Sequence, residues 1–157
     1  MWIKKYFLSL EITSKKLLLA TFFLASAVNA QACDVIFSSS SPDVMEVVSK
    51  NGFGFNDYKA ICKKLNSNNA RLIIDGQATV IDSSSIAWAS VGVGDKNLPI
   101  YTKDFGGSSI RVNPFASIDT AKVALGRAIN FAVDEVDFDK AINALDKSRK
   151  IIKSAYK

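Results

Sequence analysis

The sequence predicts an α+β fold: a small antiparallel meander of about three to four strands over residues 71–112, between an N-terminal helix pair and a C-terminal helical hairpin. Two observations carry this. Apolar residues recur at helical spacing before residue 70 and after residue 117, and alternate between those limits. Short polar turns separate the alternating runs, which fits strands that follow one another directly. The composition, 48% apolar and 22% charged, is that of a globular chain rather than a disordered one. At 157 residues, one domain is the expectation once a leader is set aside.

That leader is residues 1–30. Lys4, Lys5, Lys15 and Lys16 make a basic start, and residues 17–28 follow without a charge. Val28-Asn29-Ala30 then puts small residues at the positions a signal peptidase reads. Twelve apolar residues are too few for a spanning helix, which needs about 20. The reading is an exported protein, periplasmic or extracellular, cut after Ala30, with residues 31–157 as the mature domain. Removing four lysines and one glutamate from 20 basic and 15 acidic residues leaves 16 and 14, a balance of +2. The apparent basicity therefore belongs largely to the leader, and nucleic-acid binding loses its compositional support.

Cys33 and Cys62 are the only cysteines. In an oxidising compartment a lone pair is expected to bridge. Closing a loop of about 30 residues would stabilise the fold by ~3–4 kcal/mol in the chain-entropy view.

Each element has a local reason. Residues 34–37 read as a short strand or a tether. Ser41-Pro42-Asp43 opens a first helix, with a capping hydroxyl, proline at the first position and an acid near the positive end. Asn51-Gly52 closes it. Asn56 is placed to cap a second helix running to about Asn66. In residues 71–81, Leu72, Ile74, Ala78 and Val80 share one face, with a bulge suggested at Gly76. Residues 82–85 (DSSS) form a turn. Residues 86–93 (IAWASVGV) are apolar on both faces and small, which suits a central strand with Trp88 in the core. Residues 100–105 make a third strand, 106–109 (GGSS) a flexible loop, and 110–112 a short fourth strand. Ser117 caps a helix whose stripe is Ile118, Ala121, Leu125, Ala128, Ile129 and Ala132; its alanines would let another element approach closely. Phase is lost across residues 134–137, and Asp137 can cap the next helix, which makes an αα-hairpin the first choice.

The chain has no histidine, which excludes Ser-His-Asp and Cys-His catalysis and every histidine metal site. Two cysteines cannot make a four-cysteine centre. Gly92-Val93-Gly94 is followed by a strand turn, not the helix N-terminus that a dinucleotide fingerprint needs. Ser90, in a Trp88-to-Gly92 run that superficially resembles a nucleophile elbow, lacks the first glycine and a histidine base, and nothing in the sequence brings a particular lysine to it for a Ser–Lys dyad. No metal or cofactor is expected. Asp75, Asp82, Asp95 and Asp104 lie in or beside the strands without the spacing of a catalytic pair, and Asp82 and Asp95 read as turn starters. The acids at Asp134, Glu135, Asp137 and Asp139 lack the glycine and closing glutamate of a calcium loop.

Two features suit recognition. Phe53, Phe55 and Tyr58 crowd beside two glycines and are candidate binding residues, although the same rings can pin the first helix pair to the sheet. Lys140, Lys147, Lys150, Lys153 and Lys157 form a candidate basic surface on the last helix, where a solvated face favoured by the helix dipole is the plainer account. The expectation is a small exported, non-enzymatic protein-binding module, such as an inhibitor, immunity or envelope-accessory protein. Its partner is another protein and not a nucleic acid. The rivals are a carboxylate-dependent hydrolase of envelope polymers and a module that contacts a membrane surface through the basic helix.

Export with cleavage after Ala30 predicts that the mature protein begins at Gln31. N-terminal sequencing of natively produced protein checks this; soluble protein retaining Met1 would overturn it.

Overall fold

A computed structural model describes residues 33–155. The cleavage site at Ala30, the apolar run at 17–28 and Lys157 lie outside the described residues. Along the chain run β1 (Phe37–Ser38), α1 (Pro42–Asn51), α2 (Tyr58–Ser67), β2 (Ala70–Ile81), β3 (Ser84–Asp95), β4 (Tyr101–Asn113), α3 (Ile118–Asp134) and α4 (Phe138–Ala155). The class is α+β, with helices before and after a meander.

β2, β3 and β4 form the antiparallel meander. The fourth strand comes from the chain's other end: β1 joins β2 in parallel, pairing Phe37 with Leu72 and Ser38 with Ile73. The β2–β3 turn is only Asp82-Ser83, with Asp82 in the left-handed region at φ 50°. A connection that short sets Ile81 opposite Ser84 and Gln77 opposite Trp88. Gly76 pairs with Ala89 in regular register, so the suggested bulge there is absent.

The bulge lies in β4 instead. Val91 pairs with Gly107 and Val93 with Thr102, so residues 103–106 face Gly92 alone. The expected 106–109 loop and the two short strands around it are therefore one strand. Packing explains the glycines. A side chain on Gly107 would run into the carbonyl of Ala132 in α3, and one on Gly106 into the carbonyl of Val91. They are glycines because neighbours sit too close, not because the chain must flex.

The helices cover one face of the sheet. Leu72 and Ile74 of β2, and Ala87, Ala89, Val91 and Val93 of β3, are buried beneath α3 and its neighbours. α3 presents Ala121, Ala124, Leu125, Ala128, Ile129 and Ala132, all buried. The alanines allow the close approach that the sequence implies. Val80, at the sheet's end, remains partly exposed.

Helix starts follow local chemistry. The Ser41 hydroxyl accepts from Val44 N–H at 3.4 Å, and the Ser117 hydroxyl from Thr120 N–H at 3.4 Å. Gly52 (φ 68°) closes α1. Asp137 caps α4 by accepting from Lys140 N–H at 3.1 Å. Asn56 does not cap α2. Its backbone N–H and side-chain amide both donate to Asp134, at 2.8 and 2.9 Å, which draws it toward α3, and the helix starts after Asp57. Asp43 also reaches across: its carboxylate accepts from Ala78 N–H at 3.0 Å and occupies part of the β2 edge that β1 leaves bare.

Gly107→Ala should lower stability by about 1–3 kcal/mol, the cost of overpacking against backbone. Urea unfolding checks it. An unchanged midpoint would show that α3 is not seated where Ala132 meets β4.

Candidate functional site

The predicted site residues fall into four places. Cys33 and Cys62 are bonded, their Cα atoms 6.0 Å apart, joining the segment before β1 to α2. The bond marks an oxidising, non-cytoplasmic compartment. No helix among the described residues is long and apolar enough to cross a membrane.

Phe53, Phe55 and Tyr58 are packed rather than presented. The Phe37 and Phe53 rings meet edge to face at 5.4 Å, Phe53 and Phe55 lie 5.5 Å apart, and Phe55 stacks on Tyr58 at 5.2 Å. Phe55 is only 5% exposed. The Tyr58 hydroxyl accepts from Val35 N–H at 3.2 Å. The four rings thus join β1, the α1–α2 loop and α2.

The lysines divide. Lys140 donates to Asp137 at 2.9 Å, and that hydrogen bond raises its pKa. Lys147, Lys150 and Lys153 are exposed on α4 and appear in none of the ion pairs among the described residues.

The carboxylates are mostly engaged one by one. Asp75 pairs with Lys103 at 2.6 Å and Asp139 with Lys64 at 2.9 Å. Asp104 is exposed. Asp95 is the buried one, 3% exposed, and it starts a turn as expected. One oxygen accepts from Asn97 and Leu98 N–H at 2.7 and 2.8 Å. The other takes Nε and Nη2 of Arg149 at 2.7 and 2.6 Å. Arg149 also donates to Asp146 at 2.7 Å and to the Asn69 carbonyl at 2.9 Å. Burial would push the Asp95 carboxyl up, but the two backbone N–H groups and the guanidinium outweigh it and hold it below the ordinary carboxylate value. The group is satisfied on all sides, so its perturbation has a structural cause.

What the sequence reading missed is the uncovered face of the sheet. Trp88 lies there, 39% exposed, not in the core, because the helices cover only the opposite face. Ile110 stands directly across from it and is 71% exposed; Val112 stands across from Ile86 and is 66% exposed. With Ile81 at the end of β2, also exposed, these residues form an apolar patch over β3, β4 and the last residue of β2. On β2 the same face carries Arg71, Asp75, Gln77 and Thr79. The signal was in the sequence: a two-residue turn sets Gln77 beside Trp88 and so puts the indole on the polar side.

Comparison with protein-family models, curated proteins and solved structures gave no match.

Asp95→Asn should lower stability by about 1–3 kcal/mol at neutral pH, because the buried guanidinium loses a charged acceptor. Asp95 is depressed in the folded state, so its contribution is complete above its unfolded value near about 3.9 and is lost as pH falls through the lower folded value. The gap between variant and wild type should therefore close in acid. Urea unfolding at neutral pH and in acid checks this; a gap independent of pH would contradict it.

Proposed function

We propose that this chain is an exported, non-enzymatic binding protein that engages another protein through the uncovered face of its sheet, acting in the periplasm or outside the cell as an inhibitor, immunity or envelope-accessory protein. The observation that carries the reading is the cross-strand cluster of Trp88, Ile110, Ile86 and Val112. Contiguous apolar surface is costly to leave in water and characteristically marks a contact site. A tryptophan within it is the side chain most enriched among residues that dominate binding energy. The face is rigid, because every strand beneath it is hydrogen-bonded and the opposite side is packed under α3. The polar β2 half, with its Asp75–Lys103 pair, supplies the rim that protein interfaces use. The disulfide supports the compartment, and the leader-like residues 1–30 support export.

The test is affinity capture from envelope extract with mature protein, alongside Trp88→Ala and Ile110→Asp. Each substitution should weaken capture by about tenfold or more, the effect of losing one dominant contact, while circular dichroism and melting stay unchanged. Equal capture by both variants would reject the face. So would cleavage of peptidoglycan or another envelope glycan that is lost on replacing one aspartate.

A further inference from the structure

Beside the uncovered face, a groove of about 660 Å³ runs along α3, and β4 contributes Arg111 and Val112 to its wall. We propose that this groove binds a carboxylate side chain carried by an acidic segment of the protein partner, held by Arg111 and Arg127. The inference rests on the protein-binding reading above and gives it an anchor.

Three observations lead there. First, neither arginine takes part in any ion pair among the described residues, and both line the same groove. Second, the Nε of Arg111 is buried without a hydrogen-bond acceptor. Its guanidinium lies over the Phe131 ring, 4.7 Å from the centroid, which leaves the planar fork to be met from the side. The Arg71 Nε is buried in the same way outside the groove, so it is the placement of the Arg111 guanidinium in the groove wall beside Arg127 that points to an anion. Third, the groove's acceptors are already used while its donors are not. The Asn130 side-chain oxygen accepts from Gly54 N–H at 2.9 Å, and that of Asn113 from Phe115 N–H at 2.9 Å. Both asparagines keep their amide N–H groups as donors. Asp134, in the same wall, has both oxygens taken by Asn56. Apart from Asp134, whose carboxylate is turned to Asn56, the charged groups of the groove are cations without a carboxylate partner.

The kind of anion follows from the walls. The Asp134 charge stays in the groove and opposes a dianion, so a phosphate is a poorer occupant than a singly charged carboxylate. Phe131 and Val123 give apolar surface on which the stem of a glutamate or an adjoining apolar residue can lie. Arginine forks match carboxylates in two-point geometry. Val112 lines the groove and stands across from Ile86 on the uncovered face, so the two surfaces meet at the outer edge of β4, and a partner that wraps that edge touches both.

The experiment uses the purified, disulfide-bonded protein and follows the arginine Nε–H resonances by NMR. The probe is a blocked hexapeptide alternating glutamate with phenylalanine; comparison titrations use its glutamine counterpart, inorganic phosphate and vesicles of anionic phospholipid. The glutamate peptide should shift the Arg111 and Arg127 resonances. Arg127→Gln, at an exposed position that leaves the core untouched, should weaken its binding about tenfold or more, and replacing glutamate by glutamine in the peptide should do the same. Lys150→Gln, on α4, should leave it unchanged. Equal binding of the glutamine peptide overturns the proposal. So does an equal loss in Lys150→Gln, which would mean diffuse attraction, or tighter binding of phosphate or vesicles at the same resonances. If the peptide fails to bind while Ile110→Asp still abolishes partner capture, the groove is wrong and the sheet face stands. If Arg127→Gln abolishes peptide binding while Ile110→Asp leaves capture intact, the groove stands and the sheet face is wrong.

Discussion

α3 lies close enough to the sheet that the carbonyl of Ala132 occupies the space a side chain at position 107 would need. This contact organises much of what surrounds it. It requires glycine in β4 and alanine along the helix stripe. It accompanies the displacement of residues 103–106 into a bulge, where the Phe105 carbonyl accepts from Asp137 N–H at 3.0 Å at the turn into α4. Small residues facing each other trade side-chain volume for proximity, and proximity lets Leu125, Ile129 and Val133 reach Leu72, Ile74 and Val91 in one cluster.

With that seat made, polar contacts fix the ends of the helical layer. The buried Ser85 hydroxyl lies 2.5 and 2.7 Å from the carbonyls of Phe115 and Ser117 and accepts from Ser117 N–H at 3.0 Å, so the start of α3 is held at the start of β3. At the far end of β3, Asp95 receives Arg149 of α4. Lys122 of α3 meets Glu46 of α1 at 2.7 Å. The exposed pair adds little stability, whereas the Asp95–Arg149 pair is costly to break because the buried Asp95 charge would lose its counter-ion. Direction comes from these contacts more than energy does: they specify where each helix starts and ends over a sheet that the apolar cluster alone would let it slide along.

The order of elements was legible because periodicity and caps are local. Ser41, Gly52, Ser117 and Asp137 act within a few residues of themselves, and the structure finds each in the expected role. The disulfide was legible because only two cysteines exist. What failed depended on distant partners. Gly106 and Gly107 read as a loop because glycine usually marks one; only Val91 and Ala132, distant in sequence, show that the two answer a steric demand. Asn56 read as a cap until Asp134 claimed both its N–H groups. Trp88 read as core because its strand is apolar on both sides, and an apolar strand does not say how many of its faces are covered. The arginine groove was invisible for the same reason: Arg111 and Arg127 are 16 residues apart and meet one wall only after α3 folds back along β4.

The uncovered face is uneven in a way that bears on how a partner would use it. Its β2 part is mostly polar, with Arg71, Asp75, Gln77 and Thr79 alongside Ile73 and the terminal Ile81, while its β3–β4 part carries the indole and most of the exposed branched side chains. The apolar half lies beside β4, whose outer edge has no strand partner among the described residues. Open strand edges invite pairing with other chains unless something interrupts them. Here the bulge at residues 103–106 breaks the edge near its middle, and Lys103 is held across the face by Asp75. The straight stretch beyond the bulge, from Gly107 to Asn113, carries Ile110, Arg111 and Val112. Alternation along that one stretch points Ile110 and Val112 to the open face and Arg111 to the groove. A single strand therefore delivers apolar surface on one side and an unneutralised cation on the other, and it is the part of the edge that the bulge leaves regular.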